Sequence, residues 1–287
     1  MANLKEIRNR IASVKSTMQI TSAMKMVSAA KLKKAQDAIT AMRPYANKLT
    51  ELLQSLSASL DADSGSKFSE QRELNKVLIV AITSNRGLCG AFNSNIIKEV
   101  RNLAENTYSN QEVSLVTIGK KGNDILSKSL SIESNNNDIY DDLTFDNVAE
   151  IAQMLMDKYS DGSYDKIELV YNKFKNAATQ IVMTEQFLPI VPVASDESVS
   201  NVDYIFEPSK AEIVEQLIPK SLKTQLFKAI RDSFASEHGA RMTAMHKATD
   251  NAGELRDSLT LTYNKARQAA ITNEILEIVG GAEALNN

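Results

Sequence analysis

Few residues in this chain have the types and spacing that chemistry demands. His238 and His246 stand two helical turns apart, with no Cys or carboxylate set at metal-ligand spacing beside them. They read as surface or seam histidines rather than ligands, so no metal site is expected. The single Cys89 has no nearby His to activate it, and only Arg86 is placed to lower its pKa. It reads as a small packed turn residue. "SNRGLCGAFN" lies between a strand-like and a helix-like run, where a phosphate loop would sit. It is neither G-x-G-x-x-G nor G-x-x-x-x-G-K-[ST]. "GKKGND" lacks the upstream glycine of a P-loop. The expectation is a chain with no catalytic residues and no cofactor of its own.

The elements around these residues fall into three parts. In the first, Leu4, Ile7, Ile11, Val14, Met18, Thr21, Lys25, Ser28, Leu32, Ala35, Ile39 and Met42 follow 3-4 spacing, a heptad seam. Pro44 is expected to kink or end that helix, and helical periodicity resumes to about Leu60. "DADSGSKFSE" is then a loop. The second part changes period. "KVLIVAIT" and "VSLVTIG" are short apolar, β-branched runs of the buried-strand type. "KIELVYNKF" and "TQIVMTEQFLPIV" follow as two more strands. Between them, "SNIIKEVRNLAEN" reads as a helix capped by Asn93 or Ser94, and "KKGNDILSKS" as a short helix. "DNVAEIAQMLMDKYSDG" reads as a helix capped by Asp146 and stopped by Gly162. Alternating strands and helices mean an α/β layer domain.

The third part is helical from Pro208 to about Leu285, interrupted only by Pro219, Gly239, Gly253 and a final Gly280-Gly281 pair. Ala248, Ala252, Leu255, Leu259, Thr262, Ala266, Ala269, Asn273 and Leu276 repeat the 3-4 spacing. Unbroken, this helix is about 115 Å long at 1.5 Å per residue. The economical fold is a long antiparallel coiled coil of the N- and C-terminal helices with an inserted Rossmann-like α/β domain. The parts are 1–60, 61–207 and 208–287. The helices are unequal, so the longer one outruns its partner. Adjacent glycines each cost a helix about 1 kcal/mol against alanine, so fraying is expected after Val279.

Composition narrows the class. The 287 residues are 43% hydrophobic and 24% charged, as a folded soluble chain requires, and aromatics are sparse at 6%, which suits long helices. One cysteine excludes an internal disulfide and fits a reducing compartment. No apolar run reaches the ~18 residues that span a bilayer, and "MANLKEIRNR" carries no signal-peptide core, so an unprocessed cytoplasmic chain is expected. Net charge is −3, yet residues 1–43 hold nine Lys/Arg against Glu6 and Asp37. A basic helix on an acidic body fits nucleic acid, anionic lipid or an acidic protein loop, or is simply a solvated face.

Four segments add a resemblance. "EIRNRIASVKSTMQITSAMKMVSAAKLKKAQ", "SNRGLCGAFNSNI", "EHGARMTAMHKATDNAGEL" and "NKARQAAITNEILEIVGGA" resemble the γ subunits of F-type ATP synthases of the bacterial type. The last fits that family's signature at Ile271, Thr272, Glu274, Glu277, Gly281 and Ala282. The resemblance implies a rotor shaft inside a hexamer of α and β subunits. Its α/β domain would stand with the ε subunit on a membrane c-ring. Proton flow would turn ring and shaft, and catalysis would belong to the hexamer. The chain would then be a non-catalytic subunit, peripheral on the cytoplasmic face of the bacterial inner membrane, with no nucleic acid partner. The membrane would be reached only through the c-ring.

Residue by residue, Met24 and Lys25 match the shaft position that faces an acidic loop of β, and Arg241 lies in the same family contact zone. Arg267, Gln268, Thr272 and Glu274 match upper-shaft contacts to β. Tyr204 and Glu207, in "DYIFEP", match foot residues near the c-ring and ε. Two departures stand out. The redox-active cysteine pair of chloroplast members is absent, so thiol regulation is not expected. Gly280 also replaces the Ser common before the final Gly-Ala. A different class stays open on the basic helix alone: a stand-alone coiled-coil protein whose α/β domain binds nucleotide, at the Arg86–Phe92 turn, or nucleic acid.

Overall fold

The structure is a computed structural model that describes residues 4–57, 68, 70–190 and 210–285. It divides into two compact units, Met1–Ser28 with Met242–Asn287, and Ala29–Arg241. Two helices are shared between the units, α1 (Leu4–Ser57) and α5 (Lys210–Leu285).

In the first unit α1 and α5 pair antiparallel. Arg8 donates to the Tyr263 hydroxyl at 2.8 Å, Arg256 reaches the Met18 sulfur at 3.9 Å, and Thr21 meets Thr249 at 2.8 Å. Lys25 Nζ lies 3.2 Å from His246 Nδ1. All twelve seam positions read along α1 are buried or half-buried. On α5 the seam shifts. Ala252, Leu259 and Ala266 are covered as expected, but Leu255, Thr262 and Ala269 are exposed, and Arg256, Tyr263 and Ala270 take their turns. Apolar size misleads here because Arg and Tyr cover apolar surface with their stems while keeping a polar end free. Arg8 also sits over the Tyr263 ring.

The second unit is a five-stranded sheet in the order β3-β2-β1-β4-β5. β1 (Lys76–Ile82) pairs parallel with β2 (Glu112–Ile118) and β4 (Lys166–Phe174). β3 (Ser131–Asn135) extends the parallel set, and β5 (Gln180–Leu188) closes the other edge antiparallel. Successive side chains of a strand point to opposite faces, and both faces of β1 are buried. Val77, Ile79 and Ala81 pack with Ile96, Ile97 and Val100 of α2 (Phe92–Asn102) and with Leu126 of α3 (Lys120–Leu126). Leu78, Val80 and Ile82 face Val148, Leu155 and Met156 of α4 (Phe145–Ser160), and also Leu222, Leu226 and Ile230 of α5. The C-terminal helix is thus one of the layers covering the sheet.

Several local expectations change. β3 went unread because "SIESN" is polar and alternates exposed with half-covered positions on a sheet edge. α2 has no side-chain cap. Its first turn follows Ala91, while Asn93 turns back to bind Ser84. α4 is capped by Thr144, which accepts from the Asn147 amide, and Asp146 sits in its first turn. Gly162, at φ 72°, does stop that helix. Pro44 and Pro219 lie inside α1 and α5 without ending either. α5 also continues past Val279, through Gly280 and Gly281, to Leu285. A glycine weakens a helix without removing any backbone hydrogen bond, so the helix can pass through the pair.

Candidate functional site

In an open α/β sheet ligands enter the crevice beyond the carboxyl ends of the strands, where the strand order reverses. Here that point lies between β1 and β4, and α5 and the start of α2 both hydrogen-bond to β4 near its end. Ser236 of α5 donates to the Asn172 carbonyl at 2.9 Å, and Asn172 donates to the Phe92 carbonyl at 3.1 Å. A Cβ on Gly239 would lie 3.1 Å from the Cα of Ala177, a tight contact that a larger residue would have to push apart by a few tenths of an ångström. The glycines of "GKKGND" have a similar task. Gly119 adopts φ 102°, and a Cβ there would strike the Thr83 carbonyl oxygen at 2.1 Å. The Gly122 amide donates to Thr83 Oγ1 at 2.9 Å. These glycines pack the second loop onto the end of β1 where a phosphate would otherwise need room.

The turn after β1 is closed by its own side-chain hydrogen bonds. Asn93 Oδ1 accepts from the Ser84 amide, and the Asn93 amide group donates to Ser84 Oγ at 2.8 Å and to the Cys89 sulfur at 3.3 Å. Ser84 Oγ donates to the Arg86 carbonyl at 2.6 Å. Leu88 is left-handed at φ 61° yet 63% exposed. That conformation costs a residue with a Cβ about 1–2 kcal/mol. Cys89 is buried, and burial raises its pKa above the ordinary thiol value, Ser84 and Arg241 opposing. Cys89 is thus the small packed turn residue expected, and Arg86 does not lower its pKa.

Arg241 closes this turn from α5. Its Nε donates to the Gly87 carbonyl at 3.2 Å and its Nη2 to the Arg86 carbonyl at 2.9 Å. Nη1 donates to Glu237 Oε1 at 2.7 Å, an ion pair with both side chains buried. Such a pair is held by geometry, because two charges removed from water cost as much as their attraction returns unless each is fully bonded. Burial raises the Glu237 pKa, with Arg241 opposing. His238 is also buried, edge-on to Phe234, with its Nδ1 3.4 Å from Arg241 Nη1. Burial first, then the charge of Arg241, pushes its pKa down to about 3. The imidazole is therefore neutral, with Nδ1 the acceptor. Sequence reading missed Glu237 and Leu88. The Glu237–Arg241 spacing was a visible helical ion-pair signal.

The remaining expected site residues are scattered. Met24 and Lys25 are half-buried on α1, and His246, beside Lys25, also pairs with Asp250 at 3.4 Å. Arg267, Gln268, Thr272 and Glu274 are all exposed on α5, where Thr272 only back-bonds to the Gln268 carbonyl. Ile271, Ile275, Leu276, Ile278 and Val279 are exposed beside them. Tyr204 and Glu207 lie outside the described residues. Among the described residues no group of His, Cys, Asp and Glu could hold a metal ion, and no helix is long and apolar enough to cross a membrane.

Comparison with known proteins covers nearly the whole chain. A family model described as ATP synthase matches residues 3–285. The ATP synthase gamma chain of Flavobacterium psychrophilum is 76% identical over 285 residues, 99% of each chain. That of Flavobacterium johnsoniae is 73% identical over the full length of both. Among solved structures, a chain of the Tetrahymena thermophila mitochondrial ATP synthase central stalk and c-ring superposes with a TM-score of 0.61. It is 28% identical, with 80% of this chain and 99% of that one covered. The Euglena gracilis mitochondrial ATP synthase rotor gives 0.67 at 22% identity, covering 93% and 98%, a likeness of fold.

Proposed function

The chain belongs to the ATP synthase gamma chain family, and on that premise we propose how its residues transmit torque. It is a non-catalytic subunit of the central stalk, with the α and β subunits, the ε subunit and the c-ring as partners. Family membership favours this reading over a stand-alone coiled-coil protein that binds nucleotide or nucleic acid.

The observation that carries the residue-level reading is the bare end of α5. From Ile271 to Gly280 every residue is exposed, with five large aliphatic side chains among them. α1 cannot cover this stretch, because the antiparallel register brings its start level with the Tyr263 region. A ring of other subunits around a turning tip gives this surface a cover without one permanent neighbour. Arg267, Gln268, Thr272 and Glu274 are its polar contacts to β. Met24 and Lys25 face an acidic loop of β, which the basic charge of residues 1–43 favours. Arg241 spends its guanidinium inside its own unit and serves its contact zone from within. Tyr204 and Glu207 belong to the foot, and 61–207 is the part that stands on ε and the c-ring. The shaft drives β only if its contacts differ between rotary positions, since equal affinity for every state shifts none. The complex lies on the cytoplasmic face of the bacterial inner membrane and couples to protons.

Purification of a tagged chain from its own cells, followed by mass analysis, should recover α, β, ε and c subunits. Recovery of none overturns the reading. Met24→Lys places a second cation beside Lys25. It should lower ATP-driven proton pumping per ATP hydrolysed while leaving assembly intact, and normal pumping would contradict the contact.

A further inference from the structure

We infer that Arg241 is a positioning residue that acts through the turn at 86–88. Its guanidinium holds the Arg86 and Gly87 carbonyls and so keeps Leu88 left-handed and pointed outward, fixing the joint between the α/β layer and α5. The inference deepens the rotor reading above, and its first test does not depend on that reading.

Three observations carry it. First, Arg241 is engaged inside the unit through all three of its nitrogens. Its side chain is buried, Nε and Nη2 go to the two carbonyls, and Nη1 goes to Glu237. A guanidinium so engaged cannot also meet a partner's carboxylate without giving up the turn. Second, the turn holds a conformation its sequence does not favour. Leu88 and Gly90 are both left-handed, at φ 61° and 59°, and Leu88 alone carries the steric penalty. Strain of this kind persists only where the surroundings impose it, and the two carbonyls immediately before Leu88 are the ones Arg241 grips. Third, the clamp reaches across the fold. Arg241 belongs to α5, and the turn leads from β1 into α2. Torque carried along α5 therefore meets the sheet through a bidentate, charge-assisted contact rather than through apolar packing alone. Two polar donors on adjacent carbonyls fix an orientation, which sliding aliphatic contacts do not.

Cys89 is the reporter. It is the chain's one cysteine, it follows Leu88, and it is buried against Asn93 and Ser84. Its alkylation by N-ethylmaleimide in the full-length chain measures opening of the turn. Arg241→Gln is made together with Glu237→Gln, so that no buried carboxylate is orphaned. The pair should label about tenfold faster than the parent, with unchanged helical circular dichroism. Arg241→Lys should fall between, since an ammonium cannot grip two carbonyls as a planar fork does. The decisive arm is rescue. Leu88→Gly, added to the double variant, accepts the left-handed turn without strain and should return labelling most of the way to the parent rate. A parent-like rate in the double variant overturns the clamp. Fast labelling that Leu88→Gly leaves unchanged also overturns it, because the opening is then general loosening. In the assembled complex the double variant should pump fewer protons per ATP, and Leu88→Gly should restore the ratio. Unchanged pumping with an opened turn removes the joint's part in torque while leaving subunit recovery, and so the rotor reading, untouched.

Discussion

The two stretches of α5 are continuous in sequence and opposite in physics. From Ile218 to Arg241 the helix is a structural layer, with Leu222, Leu226, Ala229 and Ile230 buried against the sheet and Ser236, Glu237, His238 and Arg241 in a buried polar joint. From Ile271 to Gly280 it presents every residue to solvent. The first stretch is held by tertiary packing, and the second by its own backbone bonds and helix propensity. Most helices in proteins depend on the former. A chain that extends an apolar helix beyond its own cover leaves that surface for others to enclose, which is what a shaft within a ring of subunits requires.

The contrast is easiest to break with one truncation in each stretch. Leu226→Ala removes a fully buried side chain and should cost about 2–5 kcal/mol in denaturant unfolding. Leu276→Ala, at a position 63% exposed, should stay within about 0.5 kcal/mol in the isolated chain. Equal costs would mean that the tip packs on something within the chain. The same Leu276→Ala in the assembled complex is where an effect belongs.

Acid should act on the first stretch through His238. With the His238 pKa lowered to about 3, the unfolded chain binds a proton between about pH 6.5 and 3 that the folded chain refuses. Stability from this group is complete above pH 6.5 and falls as pH falls, by up to about 1.4 kcal/mol per pH unit. Glu237 works the other way, since its raised pKa lets the folded chain take up a proton first. Comparing the parent with His238→Gln isolates the histidine. The variant should lose about 2 kcal/mol less between pH 7 and pH 5. Identical pH dependence would show that the buried imidazole is not the sensor.

The smallest effect lies at the end. Gly280→Ala with Gly281→Ala should strengthen the last helical turns by about 1 kcal/mol per site. A Cβ at either position meets nothing within 4 Å, so no clash opposes the gain. Slower amide exchange from 280 to 285, with unchanged global stability, is the expected result. No change in exchange would show that the glycines do not set the stiffness of the tip.

Much of the architecture was legible from period alone. The α1 seam was correct at each of its positions, because burying one stripe of a helix admits only 3-4 spacing. The four apolar strands were equally plain, and the polar edge strand β3 was invisible because an edge need not be apolar. On α5 the seam drifted by a residue wherever Arg256 and Tyr263 did an aliphatic residue's covering. The candidate site was less legible still. Arg241 was singled out, but as an outward contact, since its direction depends on two carbonyls more than 150 positions away in the chain.

The sequence by itself determined that two long terminal helices pair, that an α/β layer lies between them in the chain, and that the last turns of the second helix are greasy and uncovered. Those are consequences of periodicity and length, which are local and cumulative. Only the tertiary structure decided that α5 bonds to the end of β4 and that Arg241 faces inward. It also decided that Leu88 stands in a conformation its type avoids. Each depends on groups far apart in sequence coming within hydrogen-bonding distance, and no local pattern encodes that distance.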